Sequence, residues 1–320
     1  MSRKKVSHSA WDKYMTCPKL FDIHYNQRLR PSGKSSALAF GSAVDEGLNV
    51  LLVEGSFEKC LEIFRDNFKF EDLQDITWDP KDTEYCIIDE ETRRMWSQTR
   101  PTDDYVAWAS MRVKGRMLLE AYYENIYPLI EEVESVQKEL SDRPGFIDAV
   151  VKLRGYGRVL LDNKTSARPY DDRALANSTQ LSLYAQDQGI KKIGFAVMVK
   201  QIQKNTVRIC LSCKFDGSHV RHKTCPQIVN GTRCHGSWDE SHQPKAITQL
   251  MVENVQPIAK ELISESISQV EAGIEAGVYP RNLKACGKIY GKPCPYINYC
   301  WKGQQDGLEL KEETKTKEKK

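Results

Sequence analysis

The chain has 320 residues, enough for one large or two modest domains with a sizeable core, and carries a net formal charge of only +3 with 28% of its residues charged. That balance excludes a globally basic nucleic-acid binder, so any basic surface has to be local. Ten cysteines, behind a polar and basic start that lacks a hydrophobic signal core, suit metal ligands and buried thiols better than disulfides. No apolar run reads as long enough to cross a bilayer, and the expectation is a soluble cytoplasmic protein without a membrane partner.

Residues 7–28 read as helical, with Trp11, Tyr14 and Leu20 at apolar positions and Pro18 marking a break or a second helix start. Residues 30–36 form a loop, 40–53 a helix ending at Gly55, and 57–68 another helix. The acidic stretch 69–101 is an irregular surface connection, and 105–127 is a strongly amphipathic helix. A strand over 133–140 precedes a hairpin. In it Phe146, Ile147, Ala149, Val150, Val151 and Leu153 form one β-rich run and Val159, Leu160 and Leu161 a second, around the turn Gly155-Tyr156-Gly157. Residues 171–188 read as a helix stopped at Gly189, 193–200 and 207–211 as two strands, and 246–277 as one long helix. From Leu310 the chain is charged and lacks apolar content, which reads as a disordered tail. Helices ahead of a small β core with a crossing helix suggest an α/β domain.

The hairpin carries the chemistry. Two adjacent strands bring Asp148 and Asp162 to one end of a sheet, and the alternation of side chains puts Asp162 and Lys164 on one face. Paired carboxylates can hold a hard divalent cation, and an ammonium beside them can orient water or offset charge on a phosphate. The plainer reading is a hairpin with acidic ends in which Lys164 closes a surface ion pair with Asp162.

The cysteines fall into two groups. Cys210 and Cys213 form a CxxC pair, followed by Cys225 and Cys234 across gaps of eleven and eight residues whose Gly, Asp, Ser, His, Lys and Pro content cannot build a core. Four thiolates on two loops suit a tetrahedral structural Zn²⁺, with His219, His222 and His235 nearby as substitutes for one thiolate. Cys286, Cys294 and Cys300 form a second group in a Gly- and Pro-rich loop and need a fourth ligand, for which Cys17, followed by Pro18, is the candidate. Spacing alone leaves zinc and an iron–sulfur cluster both open here, and leaves Cys17 open as a structural thiol. Cys60 and Cys86 are left over, with Cys60 reading as core.

Taken in order, these residues resemble the RecB-like branch of the PD-(D/E)XK nucleases. More narrowly, they are similar to the iron–sulfur exonucleases related to the CRISPR-associated adaptation nuclease and its phage-encoded relatives. Ser9-x-x-x-Lys13-Tyr14-x-x-Cys17-Pro18 resembles the N-terminal helix with the first cluster cysteine. Gly41-Ser42-Ala43-Val44-Asp45 stands at a Gly-x-x-x-His motif, with aspartate in place of the usual metal-binding histidine. Gly145-x-x-Asp148 and Asp162-Asn163-Lys164-Thr165 are similar to the second and third motifs, Gln180-Leu181-x-x-Tyr184 to the helix motif, and Cys286, Cys294 and Cys300 to the cluster clamp. The likeness runs from Ser7 to Trp301, outside the zinc insert and the tail.

The resemblance implies a restriction-endonuclease-like core, a small mixed sheet flanked by helices, that cleaves DNA phosphodiesters. The expected mechanism puts Mg²⁺ or Mn²⁺ on Asp148, Asp162 and the Asn163 carbonyl, with Lys164 orienting water and Gln180 and Tyr184 meeting the DNA backbone or Lys164; Asp45, the departure from the family, is either a third ligand or a merely polar residue that weakens metal binding. The resemblance also implies a 4Fe–4S cluster on Cys17, Cys286, Cys294 and Cys300. The expected organisation is a helical region over 1–130, the nuclease core over 131–209, a zinc-binding insert over 210–240, a C-terminal helix and cluster loop over 241–303 and a disordered tail over 304–320. Trp11, Tyr25, Arg28 and Arg30 are candidates for guiding a strand, with core packing favoured for Trp11. The expected partners are DNA with a free end or single-stranded, and recombination or replication proteins, in a bacterial or phage-infected cytosol. Two competing readings are a catalytically weak or inactive nuclease-fold DNA-binding or adaptor protein, and a zinc-ribbon protein whose hairpin acids are incidental. The second does not account for Cys17 together with the C-terminal cysteine trio.

Overall fold

The computed structural model describes residues 5–73, 76–78, 103–141, 143–216, 222–255, 257–287, 289 and 293–311. Cys86, His219, most of the expected 69–101 connection and the end of the expected tail lie outside the described residues.

Two short helices, α1 (His8–Thr16) and α2 (Pro18–Phe21), meet at Cys17, with Ser7 capping α1 by accepting from the Ala10 N–H. The anticipated break at Pro18 is this junction, where proline starts α2 because its missing N–H costs nothing at a helix's first position. A π-helical turn, Asp22–Asn26, continues α2. Short strands β1 (Leu29–Pro31) and β2 (Lys34–Ser35) occupy what reads in sequence as a loop. Next come α3 (Ser36–Glu54), capped by Ser35 and ended by left-handed Gly55, α4 (Phe57–Asn67), β3 (Ile76–Thr77) and α5 (Asp103–Asn125).

The central sheet is built from β4 (Ile130–Glu139), β5 (Phe146–Leu153), β6 (Gly157–Ser166), β7 (Lys192–Cys210) and β10 (Trp238–Asn254), in the order β10-β7-β6-β5-β4. β6 and β7 are parallel, joined across α6 (Thr179–Asp187), and the other pairings are antiparallel. The result is the expected mixed sheet. Alternate residues of its strands feed two cores. Val159, Leu161, Ala196 and Met198 pack towards α3, α4 and α5, whereas Leu160, Phe195, Val197 and Val199 pack towards α1, α6 and α7 (Pro257–Glu275).

Four expectations are corrected. The stretch 246–277 is not one helix: its first part completes β10 and α7 starts at Pro257. Ala246, Leu250 and Val252 face one core and Ile247 and Met251 the other, so a strand buried on both faces shows no alternation and its apolar spacing passes for helical. The stretch 171–188 is helical only from Thr179, because Ser178 caps there, its side chain accepting from the Leu181 N–H at 3.3 Å. The two strands read over 193–200 and 207–211 are one continuous β7, which pairs with β10 along nearly its whole length. Finally, α3 is long and apolar enough to cross a bilayer by length and composition, with mean hydropathy 1.3. It spends that apolarity on the core, burying Phe40, Ala43, Val44, Leu48, Leu51 and Leu52.

The remaining elements are β8 (Ile228–Val229) and β9 (Thr232–Arg233), which pair with each other, and α8 (Leu283–Cys286), α9 (Ile297–Lys302) and β11 (Leu308–Leu310). β11 pairs with β1, so the ordered chain extends into the segment expected as tail and returns beside the N-terminal helices.

Candidate active site

Three elements bring the acidic residues together. Asp148 is the third residue of β5, Asp162 lies on β6 opposite that end, and Asp45 sits on α3 one helical turn after Gly41. Gly41 is small for a reason: a Cβ there would stand 3.3 Å from Thr165 Oγ1, so glycine lets α3 lie close against β6 and carries Asp45 to the site. Gly145 serves the same end of β5, since a Cβ there would meet the Tyr184 hydroxyl at 3.0 Å.

Asp162 is 3% exposed and Asn163 9%. The Lys164 ammonium donates to Asp162 Oδ1 at 2.9 Å and lies 2.7 Å from Oδ2, as expected for two residues on one face of a strand. Oδ2 is buried, with the Lys164 ammonium as its ion-pair partner. The Asn163 N–H donates to Asp148 Oδ2 at 3.2 Å, which clamps the two strands across the carboxylates.

The electrostatics follow from burial and crowding. Burial pushes the Asp162 carboxyl up and the Asp148 charge adds to this, against the pull of Lys164. Asp45 is pushed up to about 6 by burial first and then by the Asp148 and Glu46 charges, with Lys164 opposing. Lys164 is held above the ordinary lysine value because Asp162 and Asp148 outweigh its own burial. The Asp148 charge raises the proton affinity of both Asp45 and Asp162, and the three carboxylates form a hard-oxygen donor set whose crowding a divalent cation would relieve.

On the same face, the Tyr184 ring of α6 is 6% exposed and its hydroxyl is hydrogen-bonded with Gln180; burial raises its pKa first, and it also feels Asp162, Asp148 and Lys164. Two residues at the site went unread in the sequence. Gln137 of β4, in the left-handed region at φ 48°, donates to Asp45 Oδ2 at 3.4 Å and to Asn49 Oδ1 at 3.5 Å. His8, at the start of α1, shares a hydrogen bond with Thr179 Oγ1 at 2.9 Å and packs beside Trp11 and edge-on to Tyr184. Neither lies in a spacing pattern that points to a site; only the packing of β4 and α1 brings them there.

A model of the PD-(D/E)XK nuclease superfamily matches residues 5–301. The chain belongs to the PD-(D/E)XK nuclease superfamily. No curated protein matches it. Membership of this superfamily points to a nuclease of some kind that uses a divalent metal such as Mg²⁺ or Mn²⁺.

Both cysteine groups come together in space. Cys210, Cys213, Cys225 and Cys234 have sulfurs within 4.8 Å of one another, with Cys210–Cys234 at 3.7 Å and Cys213–Cys225 at 3.6 Å, and could hold a metal ion. The Cys213 backbone N–H points at Cys210 Sγ at 3.5 Å and is the first cause that draws this thiol below its usual value. Cys17, Cys286, Cys294 and Cys300 form a looser set without disulfides: Cys17, Cys294 and Cys300 pack with Tyr296, Leu20 and Ile23, and the Cys286 carbonyl accepts from the Cys294 N–H at 3.0 Å. Burial raises the Cys294 thiol, and the charges of Cys286, Cys17 and Cys300 raise it further. The Asn282 N–H donates to Cys17 Sγ at 3.4 Å and Arg281 Nε donates to Cys300 Sγ at 3.2 Å.

Of the residues read as strand-guiding, Trp11 is core, its indole N–H donating to Ser266 Oγ at 3.1 Å. Tyr25 lies under the Arg30 guanidinium at 5.5 Å and Lys13 at 6.0 Å, and Arg28, three residues on, adopts φ 58°. Cys60 is buried core, as expected.

Proposed function

We propose that this chain is a metal-dependent DNA exonuclease of the RecB-like iron–sulfur branch, acting on DNA ends in recombination, replication or repair. The observation that carries the reading is the buried Asp162–Lys164 pair beside Asp148, with Asp45 brought in from α3. Asp148, Asp162, Asp45 and the Asn163 carbonyl would hold Mg²⁺ or Mn²⁺; the crowding of Asp148 against the buried Asp162 and Asp45 and the all-oxygen donor set fit such an ion. A cation bound there supplies Lewis acidity at the scissile phosphate and a hydrolytic water of lowered pKa.

Lys164 then orients that water and offsets charge as it builds on the phosphate. Its ammonium is held protonated by the same carboxylates, so it acts as a hydrogen-bond donor throughout. Gln180 and Tyr184 fix the wall facing Lys164 and present polar atoms to the DNA backbone. An aspartate at position 45, in place of histidine, makes the donor set harder and favours Mg²⁺ and Mn²⁺ over softer ions.

The four cysteines 210, 213, 225 and 234 suit a structural Zn²⁺: tetrahedral Zn–S bonds of about 2.3 Å put sulfurs about 3.8 Å apart, close to the separations in this group. Cys17, Cys286, Cys294 and Cys300 suit a 4Fe–4S cluster, which spreads its thiolates wider than a single ion does and favours N–H donors to sulfur such as those of Asn282 and Arg281. Such a cluster would fasten α1 and α2 to the C-terminal segment, beside the β1–β11 pairing.

The test is anaerobic purification followed by incubation with end-labelled and internally labelled linear DNA and with a closed circle, in Mn²⁺, Mg²⁺ or EDTA. Metal-dependent release of short products from ends, with the circle intact, is expected. Intact DNA in every metal, from protein with its cysteine sites loaded, would turn the reading to a non-catalytic DNA-binding module.

A further inference from the structure

β7 and β10 are far longer than the sheet they belong to. β6 leaves β7 at the pair Ser166–Val199, and beyond it β7 runs on to Cys210 paired with β10 back to Trp238. Because β6 and β7 are parallel, this arm leaves from the end of the sheet that carries Asp148, Asp162 and Lys164. Lys164 pairs with Val197; at 3.3 Å per residue, the strand from there to Cys210 reaches about 40 Å beyond the lysine.

The arm ends in the four-cysteine module, which is locally basic. Residues 210–238 hold Lys214, Arg221, Lys223 and Arg233 against Asp216 alone, a formal +3. Lys214, Lys223 and Arg233 are exposed, and at the base of the module the Arg208 guanidinium lies 6.0 Å from the centre of the Trp238 ring. Four thiolates on a divalent ion carry two negative charges. Cys210 and Cys225 keep part of that charge buried, while the cations stand at the surface.

We infer that this module is a second DNA-contact site, holding the phosphate backbone about 12 base pairs from the catalytic lysine, the number that spans about 40 Å at 3.4 Å each. The inference rests on the reading of the chain as a DNA nuclease. Lys214, Lys223 and Arg233 supply sequence-independent phosphate contacts, which set the footprint on the substrate and leave the chemistry to the sheet end. Charge complementarity and the direction of the arm favour DNA as the occupant. Leu211, Ile228 and Val229 are also exposed there and offer the competing occupant, a protein.

The test measures binding by fluorescence anisotropy in a Lys164→Ala background of the full chain, so that it does not depend on cleavage. The probes are blunt duplexes of about 8 and about 40 base pairs, one shorter than the inferred span and one longer. The variants are Lys214→Glu/Lys223→Glu/Arg233→Glu and the corresponding Gln triple, each checked for unchanged bound-metal content. Should the Glu triple lose metal, the Gln triple decides.

On the long duplex the altered arm is expected to lose at least tenfold in affinity, and its plot of log affinity against log salt to flatten by up to about 2.7, about 0.9 per lost contact. On the short duplex the change should stay within about twofold, because that probe cannot reach the arm. Both proteins gain equally from the extra positions on longer DNA, so the difference between them isolates the arm. Unchanged affinity and slope on the long duplex, the result a protein-docking surface would give, overturns the inference. Equal losses on both duplexes overturn it too. A wild type that binds long DNA through the arm and cleaves nothing would contradict the nuclease reading alone.

Discussion

The Gln137 side-chain amide donates to Asp45 Oδ2 at 3.4 Å, from a backbone held at φ 48° near the end of β4. A non-glycine residue there costs of order 1–3 kcal/mol, and the neighbouring pairs Val136–Ala149 and Lys138–Ile147 leave Gln137 across from Asp148. Strain at that position is repaid by a hydrogen bond to a carboxylate of the site. If Gln137 steadies Asp45 as a metal ligand, Gln137→Ala lowers Mn²⁺ affinity or cleavage by about 10–100-fold, and Asp45→Ala lowers it further. Calorimetric titration with Mn²⁺ and cleavage rates measure both. An Asp45→Ala protein with unchanged metal affinity would remove Asp45 from the donor set.

Gly115 of α5 packs against Phe64 of α4 so closely that a Cβ would lie 2.1 Å from Phe64 Cζ. The Phe64 ring is itself stacked on Phe68, at 5.9 Å and 15°, and buried, so it has little room to yield. Gly115→Ala should destabilise the protein by about 1–3 kcal/mol through overpacking, and Phe64→Leu in the same chain should recover part of the loss. Denaturant unfolding measures both; an Ala variant as stable as the parent would mean that α4 and α5 can separate without cost.

His24 sits between α2 and the C-terminal segment, its Nδ1 2.8 Å from the Tyr296 hydroxyl. Burial lowers its pKa to about 3, with Lys13, Arg30 and Lys311 adding to the effect. In the unfolded chain the imidazole titrates near 6.5, so between there and 3 the unfolded state binds the extra proton. The His24 contribution is therefore fully present above pH 6.5 and is lost as the pH falls towards 3. Melting curves from pH 7 to pH 4.5 should show stability falling more steeply with acid in the parent than in His24→Gln. Parallel slopes would mean that His24 is solvated when folded.

The sequence made the local chemistry legible and left the long-range packing obscure. The β5–β6 hairpin, with Asp148, Asp162 and Lys164, could be read because a turn and alternating apolar residues are local signals. The four-cysteine group at 210–234 was readable for the same reason: its composition admits no core. β10 was mistaken for helix because burial on both faces erases the alternation that marks a strand. Gln137 and His8 were invisible, because their proximity to Asp45 and Tyr184 depends on how β4 and α1 pack, which no short window of sequence records. Gly41 was recognised through its motif, but its reason, the approach of α3 to Thr165, appears only in three dimensions.

The account stands most directly on Lys164, whose ammonium meets the buried Asp162 carboxylate at 2.7 Å. The measurement is cleavage of end-labelled DNA in Mn²⁺ by the parent and by Lys164→Ala, with DNA affinity measured on the same samples. The account predicts metal-dependent release of short products by the parent, lost by at least about 10³-fold in the variant, with DNA affinity retained. Full cleavage by Lys164→Ala would contradict it.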